Sequence, residues 1–174
     1  MVRIITDSST LYTIDQAQEK GFDAVPLCVS IGDWDGRDLH MDYDRFYNTI
    51  ASGQHPKSSQ PPIGDVMETF EKYPEDDIIN ISMADGLSGT YQSACGAREM
   101  VDNKDNITVI NSRTLCGPHR YMVTEAQKMK EAVSRLHVVH LSSARDNQLF
   151  KPYQNGSKTP ENQGFPGFSY THRV

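Results

Sequence analysis

The feature that most limits the fold of this 174-residue chain is an alternation of strand and helix signals over its first 133 residues. Short runs rich in Val and Ile alternate with amphipathic stretches of helical period. This pattern predicts strands at 2–6, 24–31, 77–83 and 107–110, and helices at 14–20, 42–51, 63–73, 88–101 and 118–133. Strands that alternate with helices of about 10–15 residues are typical of a mostly parallel sheet covered by helices on both faces. The sequence therefore predicts an α/β fold.

The last 41 residues differ from the rest in charge and composition. The net charge is -9 over residues 1–133 and +3 over residues 134–174. From Lys151 onward Gly, Pro, Asn, Gln and Ser dominate, and no apolar period remains. Such a segment buries too little apolar surface to offset the entropy of ordering it. We therefore predict one domain at 1–133 and a largely irregular tail at 134–174, with a single strand candidate at 136–141.

The composition excludes several classes of protein. A formal charge of -6 argues against nucleic acid as a partner, because phosphate binding requires clustered Lys and Arg. No stretch reaches the roughly 18 apolar residues of a membrane span, and Asp7 interrupts the first apolar run too early for a signal peptide. Three scattered cysteines, Cys28, Cys95 and Cys116, are typical of reduced thiols. We expect a cytoplasmic bacterial protein.

The common enzyme motifs are absent from the sequence. It contains no P-loop, no G-x-G-x-x-G, no G-x-S-x-G and no H-E-x-x-H. The histidines lie singly apart from His137 and His140, which fall in the predicted tail and are better explained as surface residues than as a metal site. We expect no metal, no cofactor and no catalytic residue.

The most informative segment is 78–94, where an apolar strand passes through a small-residue turn directly into a helix. A helix N-terminus offers unpaired N–H groups and a partial positive charge, which suit an anion. Ser88 adds a hydroxyl donor, and Gly89 allows a ligand to approach the backbone. A simpler interpretation is that Ser88 caps the helix and the glycines form the turn. Both interpretations remain open from the pattern alone.

Two other polar loops precede predicted helices. Residues 56–65 place Ser58, Ser59 and Gln60 next to prolines in a loop that could present donors to a ligand. Asp7 and Ser8 follow the first strand, where the carboxylate either orients a loop hydroxyl or caps the next helix. Each loop has a purely structural alternative.

Together these motifs resemble the DegV family of bacterial fatty-acid-binding proteins. The matching segments occur in the same order as in the family and cover residues 1 to about 132. They include the Gly86–Gln92 run and the Ser-Gln-Pro loop. The full set is 4–9, 25–29, 57–61, 81–94, 109–112 and Gly117. The resemblance implies a carrier that encloses one long-chain fatty acid in an apolar tunnel and presents it to a separate ATP-dependent fatty-acid kinase, which forms acyl phosphate. The resemblance is also compatible with a transient contact with membranes, and it does not predict an oligomeric state.

The resemblance also implies roles for individual residues. The carboxylate would be bound by Ser88 and Gly89. A loop Thr of the family would be replaced by Ser59 or Ser58, depending on the register of the alignment. The loops would be supported by Asp7 and Ser8. The sequence contains no Gly-Gly-Arg segment like that of the family's second domain, so we expect that domain to be missing or replaced. A truncated gene is therefore one expectation. Two alternatives to a working carrier follow: a truncated α/β domain that binds no small ligand, and a phosphotransfer domain in which residues 88–90 hold phosphate.

Overall fold

The computed structural model describes residues 1–132. In chain order these residues form seven strands and five helices, together with three short 3-10 turns at Ser8–Thr10, Asp38–His40 and Lys104–Asn106. The strands are β1 Val2–Asp7, β2 Asp23–Val25, β3 Cys28–Ile31, β4 Trp34–Arg37, β5 Lys57–Ser59, β6 Asp77–Ser82 and β7 Ile107–Asn111. The helices are α1 Ile14–Glu19, α2 Tyr43–Ala51, α3 Ile63–Glu71, α4 Thr90–Met100 and α5 Cys116–Ala132.

Four strands form a parallel sheet in the order β2-β1-β6-β7. In this sheet Ile4 pairs with Ile79, and Ile79 pairs with Thr108. Its two central strands are almost fully buried, as expected for a parallel sheet covered on both faces. The predicted α/β fold is therefore confirmed.

Helices cover both faces of this sheet. Because side chains alternate along a strand, Ile4 and Ile5 enter different hydrophobic clusters. On one face Ile4 packs with residues of α1 and α5, including Ala17 and Val123. On the other face Ile5 packs with α3 and α4, including Phe70, which is fully buried. Burying a side chain of this size contributes about 1.5–3 kcal/mol.

The structure corrects the single strand predicted at 24–31. The chain leaves the parallel sheet after Val25, and residues 28–31 join a second, antiparallel sheet in the order β4-β3-β5. Pro26 cannot donate a ladder hydrogen bond, and the N–H of Leu27 donates to the Ser8 hydroxyl rather than to a strand. The two intervening residues therefore separate two strands that belong to different sheets.

Several sequence-based expectations concern residues that the structure does not describe. The irregular tail at 134–174, the strand candidate at 136–141 and the pair His137 and His140 lie outside residues 1–132. Within the described part of the chain, no helix is both long enough and apolar enough to cross a lipid bilayer.

Candidate functional site

The candidate site lies at the carboxyl edge of the parallel sheet, where the strand order reverses. From β1 the chain adds β2 on one side, and it later adds β6 and β7 on the other. Ligands of open parallel sheets bind outside the carboxyl ends of the strands at such a reversal. The loop after β1 begins at Asp7, and the loop after β6 leads to Ser88 and Gly89. Four of the six predicted site residues therefore lie at this edge.

Asp7 joins the loops that follow β1 and β6. Its side chain is buried, with 2% of the residue exposed. Oδ1 accepts the N–H of Ser9 at 3.0 Å, and Oδ2 accepts the N–H of Met83 at 2.8 Å. The capping interpretation made from the sequence therefore describes the turn at Ser8–Thr10. The bonds of Asp7 given above go to backbone N–H groups rather than to a loop hydroxyl, and the second of them positions the chain beyond β6.

Ser8 is engaged inside the protein. Its hydroxyl donates to Oδ2 of Asp38 at 2.6 Å and accepts the N–H of Leu27 at 3.0 Å. These bonds connect β1 to the segment between the two sheets. Burial raises the pKa of the Asp38 carboxyl above its usual range, and the hydrogen bond from Ser8 opposes that rise. Ser8 thus has the geometry of a supporting residue.

Ser88 lies directly before the first turn of α4. The predicted helix start at Ser88 is two residues early, since α4 begins at Thr90 with Gly89 as its N-cap. The Ser88 hydroxyl accepts the N–H of Thr90 at 3.3 Å and lies 2.8 Å from Thr90 Oγ1. Ser88 therefore contacts the first residue of the helix but is not its N-cap, which is Gly89. Ser88 remains half-buried, so its hydroxyl stays within reach of a ligand.

The loop at 56–65 contacts the start of α4. A Cβ placed on Gly89 would lie 3.1 Å from Cδ of Gln60, so glycine is the residue that lets the Gln60 side chain approach the helix. Ser93 in α4 donates a hydrogen bond to the carbonyl of Pro61 at 2.8 Å. Two loops that are about 30 residues apart in sequence are therefore held together at the α4 N-terminus.

Ser58 and Ser59 lie on opposite faces of β5. Ser59 is paired with Cys28, which is also paired with Arg37, so these three side chains share a face. Arg37 forms a bidentate ion pair with Asp65 in the first turn of α3, at 2.6 and 3.3 Å. The Ser59 face is therefore the one turned toward α3.

The opposite face of the small sheet is covered by α2. Ser58 is paired with Val29, which shares its face with Ile31. Ile31 and Trp34 line a small cavity together with Phe46 and Thr49 of α2. The strand register thus favours Ser59 over Ser58 as the donor near the site.

His119 is a polar residue at this edge that the sequence interpretation missed. It is fully buried in the first turns of α5. Its Nε2 lies 3.0 Å from the carbonyl oxygen of Ile81 and 3.2 Å from Thr6 Oγ1, and its Nδ1 lies 3.0 Å from Ser9 Oγ. Burial lowers the pKa of His119, and the Asp7 carboxylate at 3.9 Å opposes that effect. The sequence did contain a signal for this position of His119. The helix α5 follows the parallel strand β7, so its first turns must lie at the carboxyl edge of the sheet.

The described residues do not bring together a metal site. Among residues 1–132, no three His, Cys, Asp or Glu side chains are close enough to one another to hold a metal ion. Serine hydroxyls, a glycine backbone and helix N–H groups make up the candidate site. These are neutral hydrogen-bond donors suited to an anion such as a carboxylate.

Comparison with known proteins gives a consistent assignment. The family model described as "Uncharacterised protein, DegV family" matches residues 1–139, which include all the described residues. A DegV domain-containing 15.5 kDa protein of Staphylococcus aureus is 36% identical over 118 residues, covering 64% of this chain and 81% of that protein. Longer DegV domain-containing proteins are also similar, and this chain spans about half of their length, 53% for a 32%-identical protein of S. aureus strain N315.

Solved structures share the fold. A crystal structure of DegV from Bacillus subtilis, described as a fatty acid binding protein, matches with a TM-score of 0.70 and 26% identity, covering 82% of this chain and 52% of that one. The fatty acid kinase (Fak) B3 protein of Streptococcus pneumoniae, loaded with linoleic acid, matches with a TM-score of 0.68 and 24% identity, covering 83% and 53%. Because the Streptococcus pneumoniae protein is only 24% identical, its similarity to this chain shows a shared fold alone.

Proposed function

This chain belongs to the DegV family, as its motifs predicted, and we propose that it binds one long-chain fatty acid. The carboxylate is held at the carboxyl edge of the parallel sheet by the hydroxyls of Ser88 and Ser59 and by the backbone N–H of Gly89. Asp7 and Ser8 hold the surrounding loops in place. The proposal extends to this chain the ligand class named for the Bacillus subtilis protein of the same fold.

The observation that supports the proposal most strongly is the contact between Gln60 and Gly89. It places the loop that contains Ser59 against the N-terminus of α4, where first-turn N–H groups lack intrahelical partners. A carboxylate between these elements can accept several hydrogen bonds at once. Each such bond to a charged acceptor contributes about 1.5–3 kcal/mol. Neutral donors can therefore retain a carboxylate without a lysine or arginine.

Apolar side chains flank these donors. Leu87, directly before Ser88, is 61% exposed, and Ile63, at the start of α3, is 39% exposed. We assign both to the beginning of the acyl-chain path, because exposed apolar surface beside a polar cluster gains stability when an alkyl chain covers it.

The proposed role in metabolism is that of a non-catalytic carrier. A separate kinase would transfer the γ-phosphoryl group of ATP to the bound carboxylate, releasing ADP and forming acyl phosphate. Support for this step is the shared fold of the fatty acid kinase B3 protein from Streptococcus pneumoniae. The test is incubation of the loaded chain with ATP and a bacterial fatty-acid kinase, with acyl phosphate trapped as hydroxamate. Product that requires the chain supports the role, and equal product without the chain contradicts it.

A matched pair of glycine variants tests the binding site itself. Gly89→Ala adds a methyl group within 3.1 Å of the Gln60 side chain, whereas Gly86→Ala adds one in open space, with nothing within 4 Å. We expect the dissociation constant for a C16 or C18 fatty acid, measured by displacement of a fluorescent analogue, to rise about tenfold for Gly89→Ala, equal to about 1.4 kcal/mol. It should stay within about twofold of the parent for Gly86→Ala, a negligible difference on the same scale.

Equal affinities for the two variants would contradict the assigned site. Absence of fatty-acid binding by the parent chain would support a domain without a small ligand. Stabilisation by nucleotide or inorganic phosphate would support a phosphate-binding domain instead.

A further inference from the structure

We propose that His119, in its neutral form, is a positioning residue for the carboxylate site, because it ties the loop after β1 to the end of β6. The inference rests on the proposed function, since the positioned loops are those assigned to the ligand. His119 itself lies on α5 and belongs to none of the motifs that resemble the family. It does not need to touch the ligand.

The hydrogen bonds of His119 determine which nitrogen holds the proton. The carbonyl oxygen of Ile81 can only accept, so Nε2, at 3.0 Å, must be the protonated nitrogen. Thr6 Oγ1 also donates to this carbonyl, at 2.9 Å, which leaves its own lone pairs free to face Nε2. Nδ1 is then an acceptor, and the hydroxyl of Ser9 donates to it over 3.0 Å. Every polar atom of the buried ring is satisfied in the neutral form.

Protonation of Nδ1 would reverse this arrangement. The new N–H would face the Ser9 hydroxyl, which would have to turn from donor to acceptor. Among the described residues, the charged group that faces the ring is Asp7 of β1, whose Oδ1 lies 3.9 Å from Nδ1. The elements that contribute Ser9 and Ile81 present only neutral groups to it, and Arg120 on α5 is turned toward Tyr12 and the carbonyl of Leu11.

Asp7 transmits this change to the proposed site. Oδ1 already accepts the N–H of Ser9, and Oδ2 holds the N–H of Met83. A carboxylate drawn toward a charged imidazole therefore loosens both backbone contacts. Met83 is followed by Ala84, whose carbonyl accepts the N–H of Ser88 at 3.3 Å. A continuous set of contacts thus connects His119 with the residue assigned to the carboxylate.

The first test needs no variant and no ligand. The ¹⁵N chemical shifts of the His119 ring at pH 7.5 report the tautomer directly. We expect a protonated Nε2 and an unprotonated Nδ1. A ring protonated on Nδ1 overturns the inference. This result does not depend on fatty-acid binding, so the assigned tautomer is tested even if the proposed function fails.

The second test follows the pH dependence of binding. His119→Gln keeps a neutral donor for the Ile81 carbonyl and removes the titration, and the exposed His55→Gln is the matched control. Protonation of the fatty acid affects every variant equally, so the ratio of dissociation constants, parent to His119→Gln, isolates the histidine. We expect this ratio to rise as the pH falls from 7.5 through the range below 6.5 in which the buried ring takes up its proton. A rise of about tenfold corresponds to a difference of one unit between the pKa of His119 in the free and in the loaded protein. The ratio of parent to His55→Gln should stay constant. Parallel pH profiles of the parent and His119→Gln overturn the inference.

The third test reads the loop without ligand. Hydrogen exchange of the Met83 amide, corrected for the intrinsic pH dependence, should lose protection on acidification in the parent and not in His119→Gln. If His119 had only a structural role, His119→Gln would lower the protection of the Met83 amide equally at all pH values. Equal protection at both pH values in the parent overturns the inference, whereas a failure of fatty-acid binding with the expected exchange pattern overturns only the proposed function.

Discussion

The carboxylate of Asp7, at the end of β1, accepts the backbone N–H of Met83, directly beyond β6, at 2.8 Å. This bond crosses between the two central strands of the parallel sheet, at the reversal of strand order. It holds the loop that leads to Ser88 against the loop that contains Ser8 and Ser9. The geometry of the proposed carboxylate site therefore depends in part on this buried side chain.

Asp7→Ala is expected to lower the free energy of unfolding by about 2–4 kcal/mol, because the buried N–H of Met83 and the half-buried N–H of Ser9 lose a charged acceptor. Asp7→Asn should cost less, since its amide oxygen replaces one of the two acceptors. The measurement is urea unfolding at pH 7.5. Asp102→Asn, at an exposed position between α4 and β7, serves as the control, and an equally small loss for Asp7→Ala would refute the assignment.

Ser59→Ala is expected to weaken fatty-acid binding by about 1–2 kcal/mol, the range for loss of one hydrogen bond to a charged group with partial replacement by water. Ser58→Ala should leave the affinity unchanged, since Ser58 lies on the opposite face of β5. Both residues are exposed serines in the same strand, so the pair is closely matched. Fluorescent fatty-acid displacement measures the difference, and a larger loss for Ser58→Ala would reverse the assigned strand face.

The stability of the domain should depend on His119 at mildly acidic pH. Burial lowers the folded-state pKa of His119 below 6.5. Between that lowered pKa and 6.5 the unfolded chain binds more protons, so the free energy of unfolding falls as the pH falls through this window. His119→Gln should abolish this part of the pH dependence. Thermal or urea unfolding from pH 7.5 to pH 5 checks it, and an unchanged slope would contradict the assignment.

Asp38→Asn is expected to stabilise the protein more at pH 7 than at pH 4. Burial raises the pKa of Asp38 above 3.8, so the folded state binds more protons and stability is lost as the pH rises through that raised pKa. Asparagine stays neutral and keeps an oxygen that can accept from the Ser8 hydroxyl. The measurement is the difference in unfolding free energy between variant and parent at the two pH values, and a larger gain at pH 4 would show the opposite sign.

The main sheet and its helices could be predicted because each element shows its own local signal. β1, β6 and β7 are short runs rich in β-branched residues, and α1 begins with a capping box formed by Thr13 and Gln16. Two strands of the second sheet gave no such signal, since β4 contains Gly36 and two charged residues and β5 is a polar triplet. These strands form only through pairing with β3, and sequence spacing does not reveal that pairing.

The residues proposed for the site come from the sequence, whereas their contacts come from the structure. Glycine and serine at the start of α4 follow from the turn and helix pattern. The approach of Gln60 to Gly89, the bond from Asp7 to Met83 and the burial of His119 join segments that are distant in sequence. Each depends on how α3, α5 and the strands pack, so a local pattern could not predict it.

The central claim, that this chain binds a long-chain fatty acid, is tested most directly by mass spectrometry of an organic extract from the purified, folded chain. We predict a C14–C18 fatty acid at about one molecule per protein. The amount of bound fatty acid should fall in Gly89→Ala, whose dissociation constant is expected to be about tenfold higher, and should be unchanged in Gly86→Ala. An extract without fatty acid, from a chain that also fails to take up added fatty acid, would contradict the claim.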